Sequence, residues 1–110
     1  MRYAWALLLI GCAHVAPQPQ TQVVKIFAER FQFTPAVVHL RAGVPVVFEL
    51  SATDHKHGFS LTQVGLRADI VPGEVSRVEW VMPVAGHYEF HCDIFCGDGH
   101  EDMSGEIVVE

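Results

Sequence analysis

The sequence predicts an all-β fold, a two-sheet Greek-key β-sandwich. Three observations carry this: short β-branched and aromatic runs, turn residues between them, and no long segment with a 3.6-residue apolar period. Val23–Phe27, Ala36–Leu40 and Val44–Leu50 read as the first strands. Pro45 lacks a backbone donor, so it marks a strand start or an edge. Gly58–Thr62, Val75–Val81, His87–His91 and Gly105–Val109 continue the series. Thr34-Pro35, Ala42-Gly43, Pro72-Gly73 and Ala85-Gly86 supply the turns.

A chain of 110 residues holds one domain with a single core. Half the residues are hydrophobic and 18% are charged, an ordinary globular composition. The net charge of -6 argues against nucleic acid, which needs a basic face, and is compatible with a basic protein partner. No internal repeat and no second domain is visible.

The first residues have a different character. Met1-Arg-Tyr-Ala-Trp5 is a short positive start, and Ala6–Ile10 is apolar but far shorter than the ~20 residues of a spanning helix. Leu9-Ile-Gly-Cys12 resembles a bacterial lipobox, where the signal is cut before the cysteine and its sulfur is lipidated. The division expected is therefore a lipoprotein signal at 1–11, lipidated Cys12 and a Pro- and Gln-rich tether to residue 22, and the folded domain at 23–110. Such a protein is exported and held on a membrane surface by lipid, facing the periplasm or the cell exterior.

The chemistry concentrates near the C-terminus. Cys92-Asp-Ile-Phe-Cys96-Gly-Asp-Gly-His100-Glu-Asp-Met103 places two thiols, an imidazole and a thioether within twelve residues. These are soft donors that suit copper better than hard cations. Spacing of four between Cys92, Cys96 and His100 would align them on a helix, but Gly97, Gly99, Asp98 and Asp102 favour a loop. His57, in Asp54-His-Lys-His-Gly-Phe59, is available from a neighbouring strand end.

Four readings of the cluster compete. A Cys92–Cys96 disulfide suits an exported protein but gives no role to His57, His100 or Met103. A Cys2His2 zinc site is possible and leaves Met103 unused. A mononuclear blue-copper site built from His57, Cys96, His100 and Met103 leaves Cys92 idle. Two copper ions sharing both thiolates, each with one histidine and a weak axial group, use every donor.

Cys-x-x-x-Cys-Gly-x-x-His-x-x-Met, preceded by His57-Gly-Phe, resembles the dinuclear CuA site of cytochrome c oxidase subunit II. The similarity runs from about Phe33 to Val109, through Arg41–Phe48, Asp69–Ser76, Ala85–Phe90 and Met103–Val109, and looks closest to the B-type haem–copper oxidases. The resemblance implies a cupredoxin-like β-sandwich, in agreement with the strand pattern. It implies that Cys92 and Cys96 bridge two coppers in a mixed-valence centre, with one copper ended by His57 and the other by His100. Met103 would be one weak axial ligand and the backbone carbonyl of Ile94 the other. It further implies relay of single electrons from a cytochrome c-like donor to the integral subunit of a haem–copper oxidase. Alternatives are a periplasmic copper storage or delivery protein, and a free-standing carrier to another reductase. The chain offers no substrate pocket or nucleophile–base pair, so it is expected to act within an oxidase and not as a catalyst alone.

The chain departs from the family in three places. A lipobox stands where many members carry a membrane-spanning helix. Ile94 stands where a carboxylate or amide is common, which leaves a carbonyl ligand possible. The aromatic run near the copper is reduced to Phe27, Phe31 and Phe33.

Among the remaining residues, His55 competes with His57, and the resemblance favours His57, since the Gly-Phe that follows it matches the family. His91 should point away from Cys92 across its strand, while His14, His39 and His87 read as ordinary surface or strand histidines. Trp80 and Met82 read as core. Asp93, Asp98, Glu101 and Asp102 put four acids in the metal loop with no lysine or arginine, a candidate docking surface for a basic partner.

Overall fold

The computed structural model describes residues 21–110. Cys12, His14 and the expected signal and tether up to residue 20 lie outside the described residues.

Nine strands form two sheets. In chain order they are β1 (Gln22–Glu29), β2 (Gln32–Thr34), β3 (Val37–Leu40), β4 (Pro45–Ala52), β5 (His57–Leu61), β6 (Leu66–Ile70), β7 (Ser76–Val81), β8 (Gly86–His91) and β9 (Ser104–Val109). One sheet has the order β2-β1-β4-β7 and the other β3-β9-β8-β5-β6. The β1–β4 and β3–β9 pairs are parallel and the rest antiparallel. This is the β-sandwich that the short alternating runs predict.

Pro45 is the first residue of β4, which lies inside its sheet, so the proline begins a strand and does not mark an edge. Two strands go beyond the expected set. β2 has only three residues, too few for a period-2 pattern to register. β6 (Leu-Arg-Ala-Asp-Ile) is an edge strand that buries Leu66 and Ile70 and carries charge at Arg67 and Asp69, so its composition resembles a connection.

The inner faces meet in one core. Alternate residues of β4 (Val46, Phe48, Leu50, Ala52) are buried and face Ile26, Phe59, Phe90 and Ile107. The rings of Phe48, Phe59, Phe90 and Phe33 follow one another at centroid spacings of 5.3, 5.0 and 5.0 Å. Each buried ring contributes ~1.5–3 kcal/mol by leaving water. Met82 is buried in this core and Trp80 packs against it half-buried.

The sheet order decides where the donors meet. β9, β8 and β5 are neighbours, and β5 runs antiparallel to β8 with Ser60 opposite His91. The start of β5, the end of β8 and the start of β9 therefore share one end of the sandwich. His57 opens β5, Cys92 follows β8 directly, and Met103 precedes β9.

Candidate metal centre

The residues from Cys92 to Gly99 form a loop, and His100–Asp102 make a single 3-10 turn. Backbone bonds shape it: His100 N–H donates to the Gly97 carbonyl, Met103 N–H to that of His100, and Cys92 N–H to that of Met103. The last bond closes the loop on itself and draws both ends together.

Within this frame the donors sort into two halves, one around each sulfur. On the first, Cys92 Sγ lies 3.9 Å from His57 Nδ1 and 3.2 Å from the Ile94 carbonyl oxygen. On the second, Cys96 Sγ lies 3.7 Å from His100 Nδ1 and 3.9 Å from Met103 Sδ. The ligand atoms of His57, Cys92 and Cys96 all fall within 4.8 Å of one another. Both cysteines are buried free thiols, so they are not joined in the disulfide considered from sequence. His57 and Met103 are fully buried, while His100 is half-buried.

The donor set passes the chemical test for copper: two sulfurs, two imidazole nitrogens, a thioether and a carbonyl, with the soft and intermediate donors in the majority. Burial, and then the neighbouring Cys92, push the Cys96 thiol up to about 11, which favours the neutral thiol, so a metal bound there would have to displace its proton.

A second layer of contacts orients these donors. His57 Nε2–H donates to Asp54 Oδ1 at 2.9 Å, which leaves the Nδ1 lone pair directed at Cys92. Partial burial pushes the Asp54 carboxyl up, but hydrogen bonds from His57 and the Arg30 N–H outweigh it and bring it down to about 2. Gly58 N–H points at Cys92 Sγ at 3.4 Å. Gly58 also has no room for a side chain, since a Cβ there would stand 1.7 Å from Asp93 Oδ1. On the other half, the Arg30 guanidinium donates from Nε to the Cys96 carbonyl at 2.8 Å. The ring of Phe31 lies against Gly99, where a Cβ would come within 2.6 Å of it.

The four acids of the loop are not equivalent. Asp93 accepts two bonds from the Arg67 guanidinium, one of them at 2.9 Å, and its side chain is 23% exposed. Arg67 also holds Asp69, whose carboxyl it lowers, and Lys56 stands 3.4 Å from Asp69. Asp98, Glu101 and Asp102 are exposed and make no ion pair among the described residues. Phe95 is 71% exposed, its ring 5.8 Å from that of His100.

His55 is half-buried, its ring 5.9 Å from His57, and its Nδ1 meets the Lys56 carbonyl. His91 is half-buried on β8; His39 pairs with Glu110 and His87 with Glu106, on exposed surface. Phe27 is half-buried in β1, Phe33 is in the core, and Phe31 alone of the three reaches the loop glycines. Sequence reasoning passed over Asp54, Arg30 and Arg67. Asp54 carried a usable signal, a carboxylate three residues before a ligand histidine in a turn. The other two act across 66 and 26 residues, and no local pattern announces them.

Two face-packed sheets with a soft-donor loop at one end define a cupredoxin-type domain suited to copper. The family described as cupredoxin-like domain matches residues 1–109. Cytochrome c oxidase subunit 2 of Thermus thermophilus is 33% identical over 98 residues, covering 89% of this chain and 73% of that protein. A protein of the same name from a second strain of that organism is also 33% identical, but there the chain spans 58% of its length. The periplasmic domain of cytochrome oxidase subunit II from Bradyrhizobium japonicum superposes with a TM-score of 0.75 at 16% identity, covering 84% of this chain and 87% of that domain. The chain belongs to the cytochrome c oxidase subunit 2 family of cupredoxin-like proteins.

Proposed function

We propose that this domain holds two copper ions between Cys92 and Cys96 and relays single electrons from a cytochrome c-like donor to a haem–copper oxidase. One observation carries the reading: each sulfur has its own imidazole nitrogen and its own weak donor, in two matching halves. A single-copper site would leave one half without purpose. The ligands are His57, Cys92, the Ile94 carbonyl, Cys96, His100 and Met103.

When bound, the copper pair supplies one-electron redox chemistry near neutral pH. The protein's part is to fix the donors and exclude water. Asp54 sets the His57 tautomer, Gly58 N–H would stabilise charge on Cys92, and the packed sheets hold the start of β5 and the end of β8 in place. His100, half-buried beside exposed Phe95, offers a way from the surface to the centre. Exposed Asp98, Glu101 and Asp102 flank His100 in sequence and suit a basic donor.

The wider setting is part of the same proposal. Residues 1–11 act as a signal, Cys12 carries lipid, and residues up to 22 tether the copper domain at 23–110 to the outer face of a bacterial membrane. Among the described residues no helix is long and apolar enough to cross a membrane. The Leu9-Ile-Gly-Cys12 motif supports the lipid anchor, and Cys12→Ser should move the protein from the membrane to the soluble fraction.

The decisive experiment is an EPR spectrum and a copper count on the oxidised, copper-loaded protein. Two coppers per chain and seven hyperfine lines support the proposal. One copper with four lines overturns it.

A further inference from the structure

Arg30 follows β1, far from the metal loop in sequence, yet it touches both halves of the site. Its backbone N–H donates to Asp54 Oδ2 at 2.8 Å, and Asp54 holds His57. Its side chain donates to the Cys96 carbonyl at 2.8 Å. The next residue, Phe31, lies against Gly97 and Gly99. The turn between β1 and β2 thus crosses from one sheet to the loop of the other, and its arginine ties a copper-ligand segment at each end.

We infer that Arg30 is a positioning residue of the copper centre, holding the Cys96 carbonyl in place and setting a fixed positive charge beside the Cys96 half. This rests on the copper-binding reading above. The loop from Cys92 to Met103 has its ends anchored by the Cys92–Met103 backbone bond, but its middle has few regular partners. The Arg30 bond reaches that middle. Partners one step removed from a metal orient its ligands and tune it, so their loss shows in the metal's properties before it shows in the fold. A fixed cation favours the electron-rich, reduced form, because reduction adds negative charge nearby. The contact lies partly out of water, where screening is weaker than at an open surface.

The backbone N–H bond to Asp54 survives any side-chain change, so variants at this position test the guanidinium alone. Arg30→Gln removes the charge and keeps a donor of similar reach; Arg30→Lys keeps the charge and loses the fork. The midpoint potential of the copper-loaded protein is measured for both, with amide hydrogen exchange at His100, Asp102 and Met103 in the copper-free protein. Arg30→Gln should lower the potential, Arg30→Lys should keep it near the parent value, and exchange at the three amides should quicken several-fold in both. A potential unchanged in Arg30→Gln overturns the inference, whatever the exchange does. A four-line EPR spectrum of the unmodified protein sinks the two-copper reading separately, because a potential can be read for one copper or two.

Discussion

The two halves of the donor set are built from different material. The Cys92 half belongs to the sandwich: His57 opens a strand and is fully buried, Cys92 directly follows another, and Gly58 donates to the sulfur from the sheet itself. The Cys96 half belongs to the loop: Cys96, His100 and Met103 hang on turns, with exposed Phe95 beside the half-buried histidine. One half is fixed by the same hydrogen bonds and core contacts that hold the fold. The other is fixed by local turns and a bridge from Arg30. The inner half should therefore answer to stability and the outer half to reactivity.

The largest effect should come from the sulfurs, which join the halves. On the two-copper proposal, Cys92→Ser or Cys96→Ser would replace a soft bridging donor by a hard, poorly coordinating hydroxyl. Copper content should fall from two per chain to one or none, with loss of the seven-line EPR pattern. Retention of two coppers in either variant would mean that the thiols do not bridge.

The histidines sharpen the contrast. His57→Ala opens a cavity in buried structure and strips Asp54 of one of its two partners, which should cost about 2 kcal/mol in the copper-free protein. His100→Ala, at the half-buried surface, should cost less than about 0.5 kcal/mol. Urea unfolding of the copper-free variants measures both. Equal losses would erase the distinction between a half built into the sheet and a half built on a loop. Gly58→Ala probes the same inner half from the backbone. The new methyl group would stand on Asp93 Oδ1 and push the flexible Asp93–Arg67 pair aside, for a loss of no more than about 1 kcal/mol by the same assay.

The same division governs what the sequence discloses. The sandwich was legible because β-branched runs and turn pairs are local signals, and they locate seven of the nine strands. β6 escaped because an edge strand with Arg67 and Asp69 on it carries the polarity of a loop. The donor loop was legible because its donors lie close together in the chain, and His57 was singled out by the family resemblance of the Gly-Phe after it. The orienting contacts were not legible. Arg30 and Arg67 work through contacts that exist only once two sheets and a loop have come together. The acids show this most clearly: in sequence Asp93 is one of four alike, and in the fold it is the one neutralised by an arginine.

That difference sets the smallest and most discriminating test. Asp98→Asn, Glu101→Gln and Asp102→Asn each remove an exposed charge near His100 and Phe95 without touching a ligand. Each should slow reduction by a basic cytochrome about two- to threefold at low salt and leave the EPR spectrum unchanged, because a rim charge acts on the encounter rate. The effect should vanish as the ionic strength rises past ~0.15 M, where the screening length is ~8 Å. Asp93→Asn alone would uncover the Arg67 cation and shed one negative charge, so the pair is tested by removing both partners. The double variant Asp93→Asn, Arg67→Gln keeps the net charge, should leave the reduction rate alone, and should cost no more than about 1 kcal/mol for the part-exposed ion pair. Stopped-flow rates against salt for the three single variants and the double variant distinguish a docking surface from a merely acidic loop. If the double variant slows reduction as much as the other three, the effect does not come from the exposed acids' charge.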